Sequence, residues 1–268
     1  MDSGERTPLL ACRNLFKYFG ALAAVNDFDL DVYPGDVVGI GGPNGAGKTT
    51  FIDVISGINP ATSGEIELEG RDISKVRPDL ICHRGMARTF QLNAGFDSLT
   101  IRENVLIGSA FGLGDHGVPA VTFSRAVRER VDRALELCRL SDRAEAVARD
   151  VPVLERKLLM LASAVATDPK LLLIDEPVGG LNPHEVDDVM EIVAGLAAEG
   201  MTIILIEHVM RFLLQVSTRV IIMHHGEKIY EGDTQGLLSD RRVVEVYLGE
   251  GTADRLQHML AERAAPNG

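Results

Sequence analysis

Apolar residues recur along this chain at two different periods. Phe28, Leu30 and Val32 alternate with Asp29 and Asp31, and Ile66 and Leu68 alternate with Glu65, Glu67 and Glu69. Alternation puts successive side chains on opposite faces, so both segments are predicted to be antiparallel strands with one wet face. Val37–Ile40, Leu171–Ile174 and Thr202–Ile206 are instead unbroken apolar runs. Runs of that length are predicted to be parallel strands covered on both faces. Between them the spacing changes. Val186, Val189, Met190 and Val193 make an i, i+3, i+4, i+7 stripe, with Asn182, Pro183 and Glu185 placed as N-cap, N1 and N3 of a helix. Val127, Val131, Ala134, Leu135 and Cys138 form a second helical stripe.

These elements predict an α/β core with an antiparallel β subdomain. The region from about 94 to 168 reads as an inserted helical subdomain, with a Gly-rich loop at Gly108–Pro119. The main domain is expected to span residues 1–240 and a C-terminal extension 241–268. In the extension, Leu256, Met259 and Leu260 fit a short amphipathic helix packed on the core, since no basic cluster accompanies them for a membrane surface.

Composition narrows the function. With 27 Lys and Arg against 39 Asp and Glu, the net charge is −12. Such a surface repels nucleic acid, so no nucleic-acid partner is expected, while a local positive site can still hold a nucleotide. Cys12, Cys82 and Cys138 are widely spaced without a C-x-x-C, as expected of reduced, buried small hydrophobes. The start carries no signal-peptide pattern, and no apolar run approaches the ~18–20 residues that cross a bilayer. Work at a membrane would require docking on a partner.

The strongest chemical signal is Gly42-Pro43-Asn44-Gly45-Ala46-Gly47-Lys48-Thr49, which satisfies the P-loop pattern G-x-x-x-x-G-K-[ST]. A buried strand precedes it, and Thr50 to Ile55 continues as a helix. Glycines let the backbone curl its N–H groups inward around phosphate oxygens, and the helix N-terminus adds partial positive charge. Lys48 supplies a full charge between the β- and γ-phosphates of ATP. The Thr49 hydroxyl suits Mg²⁺, a hard cation that takes oxygen ligands. The run Leu171–Ile174 then delivers Asp175 and Glu176 at a strand end. Beside a P-loop, Asp175 is expected to hold the magnesium through water and Glu176 to polarise the attacking water.

Together these residues resemble the ABC ATPase family over nearly the whole chain, which implies a P-loop NTPase (RecA-like) core. The resemblance places Phe19 as an aromatic stacked on adenine. It makes Gln91 the Q-loop glutamine that reaches metal and water, and His208 the switch histidine that bonds the γ-phosphate. In the D-loop match Gly180-Leu181-Asn182, Asn182 replaces the usual aspartate, and its roles as helix cap or catalytic residue stay open. Within the family, the similarity is greatest to ATPases of branched-chain amino acid importers. It is carried by Gly85–Gln91, Gly179–Pro183, Glu207–Met210 and Val246–Glu250, and urea-importer ATPases share much of it. The resemblance implies permease subunits in the membrane, an extracytoplasmic solute-binding protein, and a peripheral location on the cytoplasmic face of the plasma membrane.

One motif departs. Where the family has the signature L-S-x-G-Q, this chain has Val151-Pro152-Val153-Leu154-Glu155. In the family that segment caps the ATP of a facing subunit. Pro152 removes a hydroxyl and an N–H, Leu154 adds bulk, and Glu155 adds negative charge near a phosphate. Asp150 is expected to cap the helix that follows. Two ATPase subunits are therefore expected to pair as a heterodimer rather than a homodimer, this chain giving a competent P-loop and its partner an intact signature. The competing readings are a nucleotide-gated switch with little turnover, and a soluble ABC protein of repair or translation. The second normally carries long insertions, tandem units or basic surfaces, none of which the sequence has.

Overall fold

The computed structural model describes residues 7–89, 95–112 and 123–248. Two sheets organise it. The first is antiparallel, made of β1 (Leu10–Phe19), β2 (Leu22–Val32), β4 (Ser63–Leu68) and β5 (Arg71–Asp72) in the order β2-β1-β4-β5. The alternation read from the sequence is its cause: Phe28, Leu30, Val32, Ile66 and Leu68 are buried while Asp29, Glu65 and Glu67 face outward.

The second sheet has the order β10-β9-β3-β8-β7-β6. Its strands are β3 (Val37–Gly41), β6 (Met86–Arg88), β7 (Leu171–Asp175), β8 (Thr202–Ile206), β9 (Arg219–His224) and β10 (Glu227–Gly232). All neighbours are parallel except the β9–β10 hairpin. Every residue of β3, β7 and β8 is buried, and successive residues feed two different cores. Val38, Ile40, Leu171, Leu173, Ile204 and Ile206 pack toward the antiparallel sheet and helix α1 (Lys48–Ile55). Val37, Leu172, Ile174, Ile203 and Leu205 pack toward the helices on the other face. Sandwiching on both faces explains the unbroken apolar runs.

Between β6 and β7, after α2 (Pro78–His83), the chain is helical: α3 (Ile101–Gly112), α4 (Arg125–Leu137) and α5 (Val153–Val165). The expected loop at Gly108–Pro119 is corrected over its first five residues, which belong to α3. A Cβ on Gly108 would lie 2.4 Å from the Ser163 carbonyl oxygen, and one on Gly112 2.4 Å from Thr167 Cβ. These two glycines one turn apart let α3 lie close against α5 and the turn after it; they are packing glycines, not turn residues. Residues 113–122 lie outside the described residues.

Past β7 come α6 (Pro183–Ala198), α7 (Met210–Val216), α8 (Thr234–Ser239) and α9 (Arg241–Val243), which runs into a π-turn over Val244–Leu248. Asn182 caps α6 as expected: its side chain accepts from the His184 and Glu185 N–H groups, and Glu185 accepts from the Asn182 N–H, a complete capping box. At α5 the expectation fails. The N-cap is Pro152, with no side-chain hydrogen bond, and Asp150 sits in a preceding 3-10 turn (Ala148–Asp150). Arg156 instead reaches back to the Val151 and Arg149 carbonyls, and those bonds hold the entry to the helix. The cysteines are free: Cys12 and Cys138 are buried, Cys82 half-buried. Among the described residues no helix is long and apolar enough to cross a membrane. The Leu256, Met259 and Leu260 helix expected from the sequence lies outside the described residues.

Candidate active site

The site assembles where β3, β7 and β8 end together. Ile40 pairs with Ile206, and Asp175 pairs with Ile206 on the other side. The loops that leave these three strands therefore emerge side by side. They carry Gly42–Gly47, Glu176–Gly180 and Glu207–Val209.

The P-loop's glycines are required by geometry. Gly42 has φ 146°, and a Cβ there would lie 2.2 Å from the Met223 carbonyl oxygen; Gly47 has φ 103°, and its Cβ would lie 2.1 Å from the Ala24 carbonyl oxygen. Any side chain would push this loop off β9 or β2. Pro43 is half-buried, Asn44 and Gly45 are exposed, and Ala46 is buried beneath them. Lys48 opens α1 and is only 5% exposed. Its Nζ donates to the carbonyls of Gly42 (2.7 Å) and Pro43 (3.0 Å), so the amine is folded into the mouth of its own loop. Burial pushes its pKa down, against the raising influence of Glu176, Asp175 and Glu207. Thr49 is exposed and Thr50 half-buried.

Asp175 is 4% exposed. Its Oδ2 accepts from Arg88 at 2.9 Å, its backbone N–H donates to Thr89 Oγ1 at 3.2 Å, and its Oδ1 is buried with no hydrogen-bond partner. Burial pushes its pKa up, with Arg88 opposing. Arg88 also reaches Asp53 on α1 at 2.6 Å and Ser56, the C-cap of α1, at 3.2 Å. The guanidinium thus ties β6, α1 and β7 together and takes one oxygen of Asp175, leaving the other open. A cavity of about 30 Å³, roughly one water, has Thr89, Lys157, Asp175 and Glu176 in a lining that is otherwise apolar, with Leu158, Met160 and Val189 among it. An unpartnered buried carboxylate oxygen beside that space fits a hard cation held through water.

Glu176 has φ 46°, a left-handed backbone that a non-glycine residue adopts at some cost in energy, and its N–H donates to the Ile206 carbonyl at 3.0 Å. The side chain of His208 is 53% exposed. Its carbonyl accepts from the Tyr247 hydroxyl at 3.3 Å. Burial pushes the Tyr247 phenol up, with a hydrogen bond from the Gly42 amide opposing. His208, two residues past the end of β8, thus meets, through Tyr247, the start of the P-loop.

Phe19 ends β1 and is 49% exposed, with Lys17 Nζ 4.9 Å from its ring centroid. It pairs with Leu22 at the start of β2, the strand whose Ala24 carbonyl abuts Gly47. Gln91 lies outside the described residues. Val151 to Glu155 open α5 in the helical region, and none of the hydrogen bonds formed there among the described residues reaches the P-loop of the same chain. The Glu155 carboxylate takes a hydrogen bond from Arg143 Nε at 3.1 Å.

Residues 25–179 match the family described as ABC transporter. The chain belongs to the ABC transporter family. Of its relatives, the probable branched-chain amino acid transport ATP-binding protein LivG of Methanocaldococcus jannaschii is 34% identical over 252 residues, covering 90% of this chain and 98% of that one. The high-affinity branched-chain amino acid transport ATP-binding protein LivG of Escherichia coli K12 is 34% identical over 251 residues, covering 91% and 98%. A crystal structure of an ABC transporter's ATP-binding cassette in its ADP conformation superposes with a TM-score of 0.80 at 32% identity, covering 91% of this chain and all of that one. In this ABC chain, sequence reasoning overlooked four residues that the fold brings to the site: Asp53, Arg88, Glu207 and Tyr247. A signal existed for one of them, since Glu207 is a lone acid directly behind a fully apolar strand.

Proposed function

We propose that this chain is the ATP-binding and ATP-hydrolysing subunit of a membrane transporter, and that the transporter imports branched-chain amino acids or a similar small polar solute. The observation that carries the reading is the convergence of the P-loop with Lys48, Asp175 and Glu176 at the ends of β3 and β7. The names of the 34%-identical relatives support the transport role and the solute class. In this reading the loop Gly42–Thr50 binds the phosphates, through the backbone N–H groups of its residues other than Pro43 and through the Lys48 amine, and Phe19 stacks on adenine. Thr49, Asp175 and Gln91 would hold Mg²⁺, which when bound neutralises the charge developing on the phosphates. Glu176 takes the proton of the attacking water, and His208 donates to the γ-phosphate.

The partners in this reading are permease subunits, which place the chain on the cytoplasmic face of the plasma membrane, with a solute-binding protein outside. A second ATPase subunit with an intact signature faces this one. Pro152 as an N-cap without a side-chain bond, Leu154, and Glu155 paired with Arg143 support that asymmetry. The switch reading with little turnover is not supported, because the relatives are named as transport ATP-binding proteins and Glu176 and His208 are both present.

The test is ATP hydrolysis by the chain alone and assembled with its ATPase and membrane partners, beside Glu176→Gln. Turnover that appears in the assembly and vanishes with E176Q is expected. Turnover indifferent to E176Q would remove Glu176 from its role.

A further inference from the structure

Glu207 has no exposed surface at all, and it is the only fully buried carboxylate among the described residues. It directly follows β8, and its own N–H donates to the Ile40 carbonyl on β3 at 3.3 Å. Its two carboxylate oxygens are divided between two loops. Oε1 accepts from the Val178 N–H at 3.2 Å, and Val178 lies two residues past Glu176. Oε2 accepts from the N–H groups of His208 at 2.9 Å and Val209 at 3.2 Å. The His208 ring reaches the same oxygen, with Nδ1 at 3.5 Å. Its charge is also felt by Lys48, Lys157 and Tyr247.

Burying a carboxylate is costly unless its lone pairs are used, and here three backbone donors use them with charge-assisted bonds. A hydroxyl or an amide at this position could not do the same. A serine or threonine oxygen would reach one loop only. A glutamine has one acceptor oxygen, and its NH₂ would face the backbone N–H of the other loop, donor against donor.

We propose that Glu207 is a positioning residue that yokes the loop carrying Glu176 to the loop carrying His208. The candidate water-activating carboxylate and the candidate γ-phosphate contact then hold one fixed separation and shift together. The inference rests on the hydrolytic reading above and assigns it a device that sets the geometry of the reaction without touching substrate. Glu176, in its left-handed backbone, has its N–H on the Ile206 carbonyl, one residue before Glu207. Its loop is therefore pinned at both ends to the β8 terminus, by backbone at Glu176 and by side chain at Val178.

The experiment compares wild type with Glu207→Gln in the assembled transporter, together with His208→Ala and the double variant. Four readouts are taken: kcat, KM, affinity of the chain for a fluorescent ATP analogue, and amide exchange by mass spectrometry. Expected for E207Q are a kcat lower by at least about tenfold, a KM and an analogue affinity within about threefold of wild type, and faster exchange in both the 176–178 and 207–209 segments. In the H208A background the same substitution is expected to cost less than about twofold, since residues that act as one unit are not additive. An unchanged kcat, a full additive loss on H208A, or faster exchange in only one segment overturns the proposal. Absence of turnover in the wild-type assembly would instead overturn the hydrolytic reading, and the proposal with it. If E207Q does not fold, Glu207→Asp carries the same test: it keeps the charge but is one methylene too short to span both loops, and the same outcomes decide.

Discussion

Arg88 shows how one side chain can set the electrostatics of a site from behind it. Its fork meets Asp53 on α1, which is half-buried, and Asp175 on β7, which is buried. Arg88→Ala would leave the buried Asp175 carboxylate without its cation and beside a half-buried Asp53, and removing one partner of a buried ion pair costs about 3–5 kcal/mol. A matching fall in the urea midpoint of unfolding is expected, with Arg88→Lys recovering only part, because an ammonium does not span both acids as the planar fork does. Glu207 gives a pH signature at the same scale. Burial raises its folded pKa above the value near 4.3 expected when unfolded, while hydrogen bonds from Val209 and Val178 oppose the rise. A raised carboxylate contributes stability that is complete below the unfolded pKa and is lost as pH rises through the folded one. The stability of wild type relative to Glu207→Gln should therefore fall with rising pH, as read from urea unfolding at a series of pH values above about 4. A difference that grows with pH would contradict that assignment. Arg88 does not stand out in the sequence as more than part of a motif, and Glu207 does so only as an acid directly behind an apolar run. Both are single charges in apolar surroundings, and only the fold reveals which distant groups they meet.

Elements were legible to the extent that their burial is periodic. The strands β2, β3, β4, β7 and β8 and the helices α4 and α6 follow from alternation, unbroken runs and i, i+3, i+4 spacing, because each faces one core or two. The capping box of α6 was readable because every contact in it is local. The reading failed where glycine serves packing rather than a turn. Gly108 and Gly112 look like a loop in sequence, yet what they accommodate lies more than fifty residues away, at Ser163 and Thr167. Gly108→Ala is accordingly expected to destabilise by about 1–3 kcal/mol, since its methyl would overlap the Ser163 backbone, which cannot rotate aside. An exposed glycine with open space around it, such as Gly195 on α6, provides the control. There the same substitution should stabilise by up to about 1 kcal/mol through helix propensity. The N-terminus of α5 was the second failure. Sequence offered Asp150 as a cap, but the proline between it and the helix moved the cap position to Pro152 and left Arg156 to satisfy the carbonyls.

At the scale of the whole molecule, the P-loop half and the signature half answer different questions. The first is carried by the ends of three parallel strands of one chain. In the proposed function the second concerns a facing subunit, and Pro152, Leu154 and Glu155 would alter what this chain offers there. Pro152→Ser, Leu154→Gly and Glu155→Gln combined should raise ATP hydrolysis in the assembled complex; an unchanged rate would mean that the altered signature does not limit turnover. The site was legible in sequence for residues contiguous in a motif, and illegible for those that join motifs from other strands. The thiols of Cys12 and Cys138 are buried and pushed up to about 12; burial raises the Cys82 thiol too, but Cys82 is only half-buried, with its sulfur 3.7 Å from the Gly112 carbonyl. A maleimide dye should therefore attach to the folded chain at one natural position, at the joint between α2 and the end of α3. Fluorescence from that single dye could follow movement of the helices against the sheet during an ATP cycle, with no cysteine added or removed.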